Sequence, residues 1–210
     1  MAHDDLAAKV RSALRMLPGD PPDEAADRLT TLLEELVRWN RRYNLTAIRD
    51  PLAMITGHLL DSLAVRPYLE GARVLDVGTG AGFPGLPLAI AEPERSFTLI
   101  DGSNKKLQFV RHAAGLLGLD NVTAVRTRAE DYAPGYRFGT VIARAVAPLS
   151  RLLGMAGHHV GEDGVFLALK GRYPAEETDE LPATWSYSVE PLSVPGLESG
   201  SRHAVLMRRK

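Results

Sequence analysis

The residues best suited to chemistry lie between positions 74 and 85, in VLDVGTGAGFPG, where an apolar run carrying Asp76 gives way to Gly78, Gly80, Gly82 and Gly85. A strand that opens into glycines lets the backbone approach a small ligand closely. Two ligand chemistries fit. Gly80-Ala81-Gly82-Phe83-Pro84-Gly85 has the G-x-G-x-x-G spacing of dinucleotide sites, whereas Asp76-x-Gly78-x-Gly80-x-Gly82 has the frame of S-adenosylmethionine sites. Asp101, closing the next apolar run, suits ribose hydroxyls in both. The neighbours separate them. A pyrophosphate needs N–H groups at a helix start, and Pro84 and Pro87 carry none. S-adenosylmethionine has no phosphate; it bears an ammonium, a carboxylate and a sulfonium, two of the three positive, and Asp76 suits a cation. The cationic ligand is therefore favoured. A nicotinamide-dependent oxidoreductase and a non-catalytic ligand-binding protein of the same fold are the competing readings.

The elements that must position this loop can be read from periodicity. Ala7, Val10, Leu14 and Leu17 share a helical face before PGDPP breaks the pattern, and Leu29, Leu32, Leu33, Leu36 and Val37 mark a second helix running out near Tyr43. Asp50-Pro51 reads as an N-cap and first-turn proline opening a third helix through HLLDSLAV. On that helix His58 and Asp61 stand three apart and are expected to pair with each other. From Gly71 onward the runs ARVLDV, SFTLID, VTAVR, FGTVIARA and GVFLALK alternate with helical patterns, and WSYSVE and HAVLMRR follow with no helix between them. The expected class is α/β. A doubly wound, mostly parallel, Rossmann-like sheet ends in an antiparallel edge, with residues 1–70 as an N-terminal helical cap and 71–210 as the sheet domain. Arg144 closes the apolar run VIA, where burial is costly unless the charge is paired or used.

The composition narrows the function. The 210 residues carry a net charge of −1 and no cysteine, so thiolate metal sites, disulfides and thiol redox chemistry are excluded. No global basic field exists to draw nucleic acid, which must instead meet local cations. Candidates are Arg38, Arg41, Arg42 and Arg49, then Lys105, Lys106 and Arg111, then Lys170 with Arg172. The N-terminal residues lack the apolar stretch of a signal peptide, and no run is apolar enough to span a bilayer. A soluble cytoplasmic protein without a metal is expected.

Several stretches, in order between Trp39 and Gly171, carry a resemblance: WNRRYNLTAI, HLLDSL, VLDVGTGAGFPGLPLAI, TRAED, ARAVAPL and LALKG. Together they resemble the bacterial small-subunit ribosomal RNA guanine-N7 methyltransferases, the glucose-inhibited division protein B family. The resemblance implies a class I methyltransferase fold, S-adenosylmethionine as cofactor and small-subunit ribosomal RNA as partner, naked or partly assembled, for a monomeric enzyme. It places Gly78 and Phe83 on the methionine side of the cofactor and Ala129 and Glu130 at the adenine, with Arg144 bordering the pocket. Asp101 as ribose ligand follows the general methyltransferase pattern. Gly57 departs from the family, which expects a basic residue there. Guanine N7 carries a lone pair and no proton, so its methylation needs alignment but no general base, and no catalytic base is assigned. Phe83 or Tyr173 could stack an extruded guanine.

Overall fold

The computed structural model describes residues 3–18, 23–197 and 201–210. The expected break at PGDPP falls mostly on residues 19–22, outside that set.

The chain opens with α1 (His3–Leu14) and α2 (Asp23–Tyr43). Their apolar stripes are buried as the helical spacing requires; Leu29, Leu32, Leu33 and Leu36 are all sealed from solvent. α3 (Pro51–Met54) begins where Asp50 Oδ2 accepts the Ala53 N–H at 3.0 Å, with Pro51 in the first turn. It does not continue as a regular α-helix. Residues Ile55–Leu60 form a wide π turn before α4 (Asp61–Leu63). Such turns re-aim side chains and recur at functional sites.

The sheet has seven strands in the order β3-β2-β1-β4-β5-β7-β6. β1 (Arg73–Val77), β2 (Ser96–Asp101), β3 (Val122–Arg126), β4 (Phe138–Arg144) and β5 (Val160–Lys170) are parallel. β6 (Trp185–Pro191) and β7 (His203–Arg209) form the expected antiparallel edge, with β7 inserted between β5 and β6. α5 (Gly85–Ala91) and α6 (Asn104–Leu116) pack with α1, α2 and the turns of α3 and α4 in one apolar cluster on one face. α7 (Leu149–Ala156) covers the other face with Trp185. A short α8 (Ala175–Asp179), without a periodic signal of its own, follows β5. This is a doubly wound α/β fold preceded by helices.

Register sets the site. Val77 stands beside Ile100 on one side and Ala143 on the other, Arg144 beside Leu169, and Lys170 beside His203. The carboxyl ends of β1, β2, β4 and β5 therefore finish level. The strand order reverses between β1 and β4, where open α/β sheets bind ligands.

Candidate functional site

Two cavities meet at that edge. The larger, about 500 Å³, lies between the glycine loop, the π turn and the ends of β4 and β5; the smaller, about 300 Å³, lies between β2 and the loop after β3. Gly78 and Val146 belong to both walls. Gly78 has a φ of +67°, and a Cβ there would meet Val146 Cγ2 at 2.8 Å, so no side chain fits between them. Gly80, at φ +61°, faces open space. Ala145, just before Val146, holds φ 54° without being glycine, a strained conformation of the kind that persists at binding sites.

The glycine loop is built around Asp76. Its carboxylate is 1% exposed, and Oδ2 accepts from the Thr79 hydroxyl at 2.6 Å and the Gly85 N–H at 2.9 Å. Asp76 lines neither cavity. The acid that the sequence offered to a cation instead braces the loop from beneath, and Oδ1 is buried without a hydrogen bond among the described residues. Burial pushes its pKa up to about 6, against the opposing hold of Thr79 and Gly85. Asp101 lies at the rim of the smaller cavity, accepting from Gly80 N at 3.0 Å and Ser103 N at 2.7 Å. Ala129 and Glu130 line the same cavity. His159, buried and with its pKa lowered by that burial, donates from Nε2 to the Ala129 carbonyl at 2.9 Å, fixing that turn.

The start of α5 has no free donor. Gly85 N–H is committed to Asp76 and Leu86 N–H to the Gly82 carbonyl at 2.7 Å, while Pro84 and Pro87 have none. A pyrophosphate would find no amide there. S-adenosylmethionine carries no phosphate, only a single carboxylate beside two cations, and makes no such demand on a helix start. It needs room beside the glycines, which Gly80 leaves, an acid at the ribose, which Asp101 supplies, and negative potential near its ammonium, to which Asp76 with its unfilled oxygen contributes. The residues fit that cofactor.

The larger cavity has a wall that the sequence did not reveal. Asp61, 4% exposed, takes Arg144 Nη1 on one oxygen at 2.9 Å and Arg202 Nε on the other at 2.8 Å. Arg144 also donates to the Gly57 carbonyl at 3.3 Å. Asp61 and His58 do not pair, because the π turn sends them to different partners. His58 Nε2 meets Thr46 Oγ1 at 2.9 Å, and its ring stacks on Phe83 with centroids 4.7 Å apart. Burial, and then Arg144, depress its pKa to about 4, so it is neutral at pH 7. Phe83, 4% exposed under His58, shows little open ring. Tyr173 is exposed, packs edge-on against His203 and lines neither cavity. A side chain at Gly57 would strike Ile48 Cδ1 at 2.6 Å, so the basic residue expected there from the resemblance would have to displace that isoleucine.

The basic candidates divide. Lys106 and Lys170 reach the larger cavity, Lys170 held by the Ala147 carbonyl at 3.0 Å and Glu177 at 2.7 Å. Arg38 pairs with Glu35 and Arg111 donates to the Ala124 carbonyl. Arg42, Lys105 and Arg172 line neither cavity, and Arg41 and Arg49 border a separate one. Arg202 is the cation of the larger cavity that the sequence missed, and Arg128 and Arg151 line the smaller one. No group of three His, Cys, Asp or Glu suited to a metal occurs among the described residues.

Fold and site together define a class I methyltransferase. The solved structure of a ribosomal protein L11 methylase from Lactobacillus delbrueckii subsp. bulgaricus shares the fold with a TM-score of 0.56 at 20% identity, over 72% of this chain and 77% of that one. The profile of the rRNA small subunit methyltransferase G family matches residues 25–205, and the chain belongs to that family. It is 48% identical to the ribosomal RNA small subunit methyltransferase G of Idiomarina loihiensis over 83% of this chain and 85% of the other. It is 45% identical to that of Xanthomonas axonopodis pv. citri over 97% of each.

Proposed function

We propose that this chain transfers the methyl group of S-adenosylmethionine to N7 of a guanine in small-subunit ribosomal RNA. The observation that carries the cofactor is the glycine loop, which pairs two acids with a helix start bare of free N–H groups. The substrate follows from the family.

Gly78 and Gly80 leave the space for the methionine half, Asp101 holds the ribose hydroxyls, and Ala129 with Glu130 frames the adenine. Phe83 and Arg144 border the methionine side, and Asp76 keeps the loop in shape and adds negative potential beneath it. The cofactor supplies a methyl carbon already activated by a sulfonium. Transfer of that methyl to N7 would exchange its bond to sulfur for one to nitrogen and pass the positive charge to the guanine, with no proton to move. The chain's residues therefore contribute alignment and exclusion of water rather than acid–base chemistry. Neutral His58 and the committed carboxylate of Asp61 agree with that, since neither is placed to shuttle a proton. Lys106 and Lys170 give the RNA backbone cations at the cavity mouth. Residues 1–70 act as a helical cap on the catalytic unit of residues 71–210, and the enzyme works as a cytoplasmic monomer.

The test is methyl transfer to unmodified small-subunit RNA, with strand cleavage at 7-methylguanine to map the product. One modified guanine is expected. Tight binding of NAD with none of S-adenosylmethionine would overturn the reading.

A further inference from the structure

A third cavity, about 270 Å³, opens between the last turns of α2 and the start of α3, walled by Val37, Asn40, Arg41, Arg49, Pro51 and Met54. Its inner wall is apolar, from Val37, Pro51 and the fully buried Met54, and its rim carries two exposed guanidiniums. Arg41 makes no hydrogen bond or ion pair within the described residues, and Arg49 is tied only to the neutral Asn44 amide at 3.0 Å. With exposed Arg42 beside them and Asp50 the adjoining acid, the patch sums to +2 on a chain of net charge −1.

This cavity backs onto the methyl-transfer site through one rigid loop. Leu45, Thr46 and Ile48 face the large cavity, and Arg49, next along, faces this one. Asn40, 3% exposed, locks that loop. Its Nδ2 donates to the Thr46 and Ile48 carbonyls at 3.0 and 3.3 Å, and its Oδ1 accepts Thr46 N–H at 3.0 Å. The same loop thus forms a wall of both cavities, so a strand whose target base enters the large one can continue over the loop toward the arginines.

Proteins that read single-stranded RNA splay its bases into apolar or aromatic pockets and hold the phosphates with cations. We propose that this cavity is a second nucleotide-binding site, taking an unpaired base of the substrate RNA beside the target guanine, with its phosphate on Arg41 and Arg49. The proposal rests on RNA being the substrate, as argued above. An apolar pocket ringed by unpaired arginines suits a base with its phosphate better than it suits a protein side chain, which brings no anion.

The test uses the full chain and unmodified small-subunit RNA, comparing wild type with Arg41→Gln, Arg49→Gln and the cavity-filling Val37→Phe. Expected are an RNA KM raised about tenfold in each, the scale of one lost stacked base or its phosphate contact, and an unchanged S-adenosylmethionine Kd. Each arginine variant should also lower the slope of log affinity against log salt by about 0.7. The arginine variants change exposed side chains and keep the test alive if Val37→Phe fails to fold. Wild-type KM and salt slope in Arg41→Gln and Arg49→Gln would overturn the second site and leave the methyltransferase reading intact. Defects seen on assembled subunits but not on naked RNA that wild type methylates would also overturn it, assigning the cavity to a protein of the particle. A wild-type enzyme that methylates no RNA would instead remove the substrate reading, and this proposal with it.

Discussion

Replacing Asp61 by asparagine keeps the shape of the side chain and removes the charge that two guanidiniums share. The carboxylate is 4% exposed, with Arg202 Nε at 2.8 Å and Arg144 Nη1 at 2.9 Å. Removing one member of a buried ion pair costs about 3–5 kcal/mol, because the remaining charge is left desolvated. Here the side chains of Arg144 and Arg202 keep 20% and 30% of their exposure, so water recovers part of the loss. The lower end, about 3 kcal/mol, applies. For a chain of this size that lowers Tm by roughly 6–12 °C, at about 2–4 °C per kcal/mol. Thermal unfolding by circular dichroism measures it, and Arg202→Gln with the double variant completes a cycle. Residues joined in one network couple by about 0.5–3 kcal/mol, so the two single losses should exceed the double. A loss below about 1 kcal/mol for Asp61→Asn, or strict additivity, would refute the view of Asp61 as a shared anchor.

Asp101→Ala should weaken S-adenosylmethionine binding by about tenfold or more, from about 1.5–3 kcal/mol per hydrogen bond to a charged group, with the far-ultraviolet spectrum unchanged; titration calorimetry reads it. In Gly85→Ala the new Cβ would lie 2.7 Å from both Asp76 Oδ2 and Leu99 Cγ, so urea unfolding should show a loss of about 1–3 kcal/mol and the loop should bind cofactor poorly. His58, at about 4 in the fold against 6.5 unfolded, contributes stability that is fully present above pH 6.5 and is lost as pH falls toward 4. At 1.36 kcal/mol per pH unit the contribution is about 3 kcal/mol. The stability of His58→Gln relative to wild type should therefore rise by about that amount from pH 6.5 down to 4, and parallel stability curves would refute it.

Much of the fold was legible because its signals are local. Alternating strands and helices, the Asp50-Pro51 helix start and the glycine loop each declare themselves within a few residues, and the sheet follows them. Within the site, residue types were legible but their partners were not, because those depend on local backbone geometry and on distant contacts. Asp101, read as a ribose ligand, also accepts the Gly80 N–H across one strand–loop unit, a contact the pattern did not announce. Asp76 did not follow its sequence reading, because the loop's own Thr79 hydroxyl and Gly85 amide take the carboxylate first. The His58–Asp61 pairing presumed a regular α-helix, and the π turn at Ile55–Leu60 removes that premise. Arg202 was invisible because, although it abuts the HAVLMRR strand, no chemical motif surrounds it and its partner lies 141 positions away.

That 141-residue span also ties the last strand to dock on the sheet to the wall of the site. β6 has no neighbour in the sheet other than β7, and β7 precedes it in space while following it along the chain. β6 and β7 can pair with each other as neighbours along the chain, whereas Arg202, at the threshold of β7, reaches Asp61 only once β7 docks on β5. Contacts so distant in sequence form late, since the loop they close must be ordered first. A folding chain with β1 to β5 in place would thus already hold its glycine loop while the cationic wall opposite was still open. The two walls of the site would thus be completed from opposite ends of the chain, the glycine loop from β1 and β2 and the facing Asp61–Arg202 wall from the strand that joins β5 last.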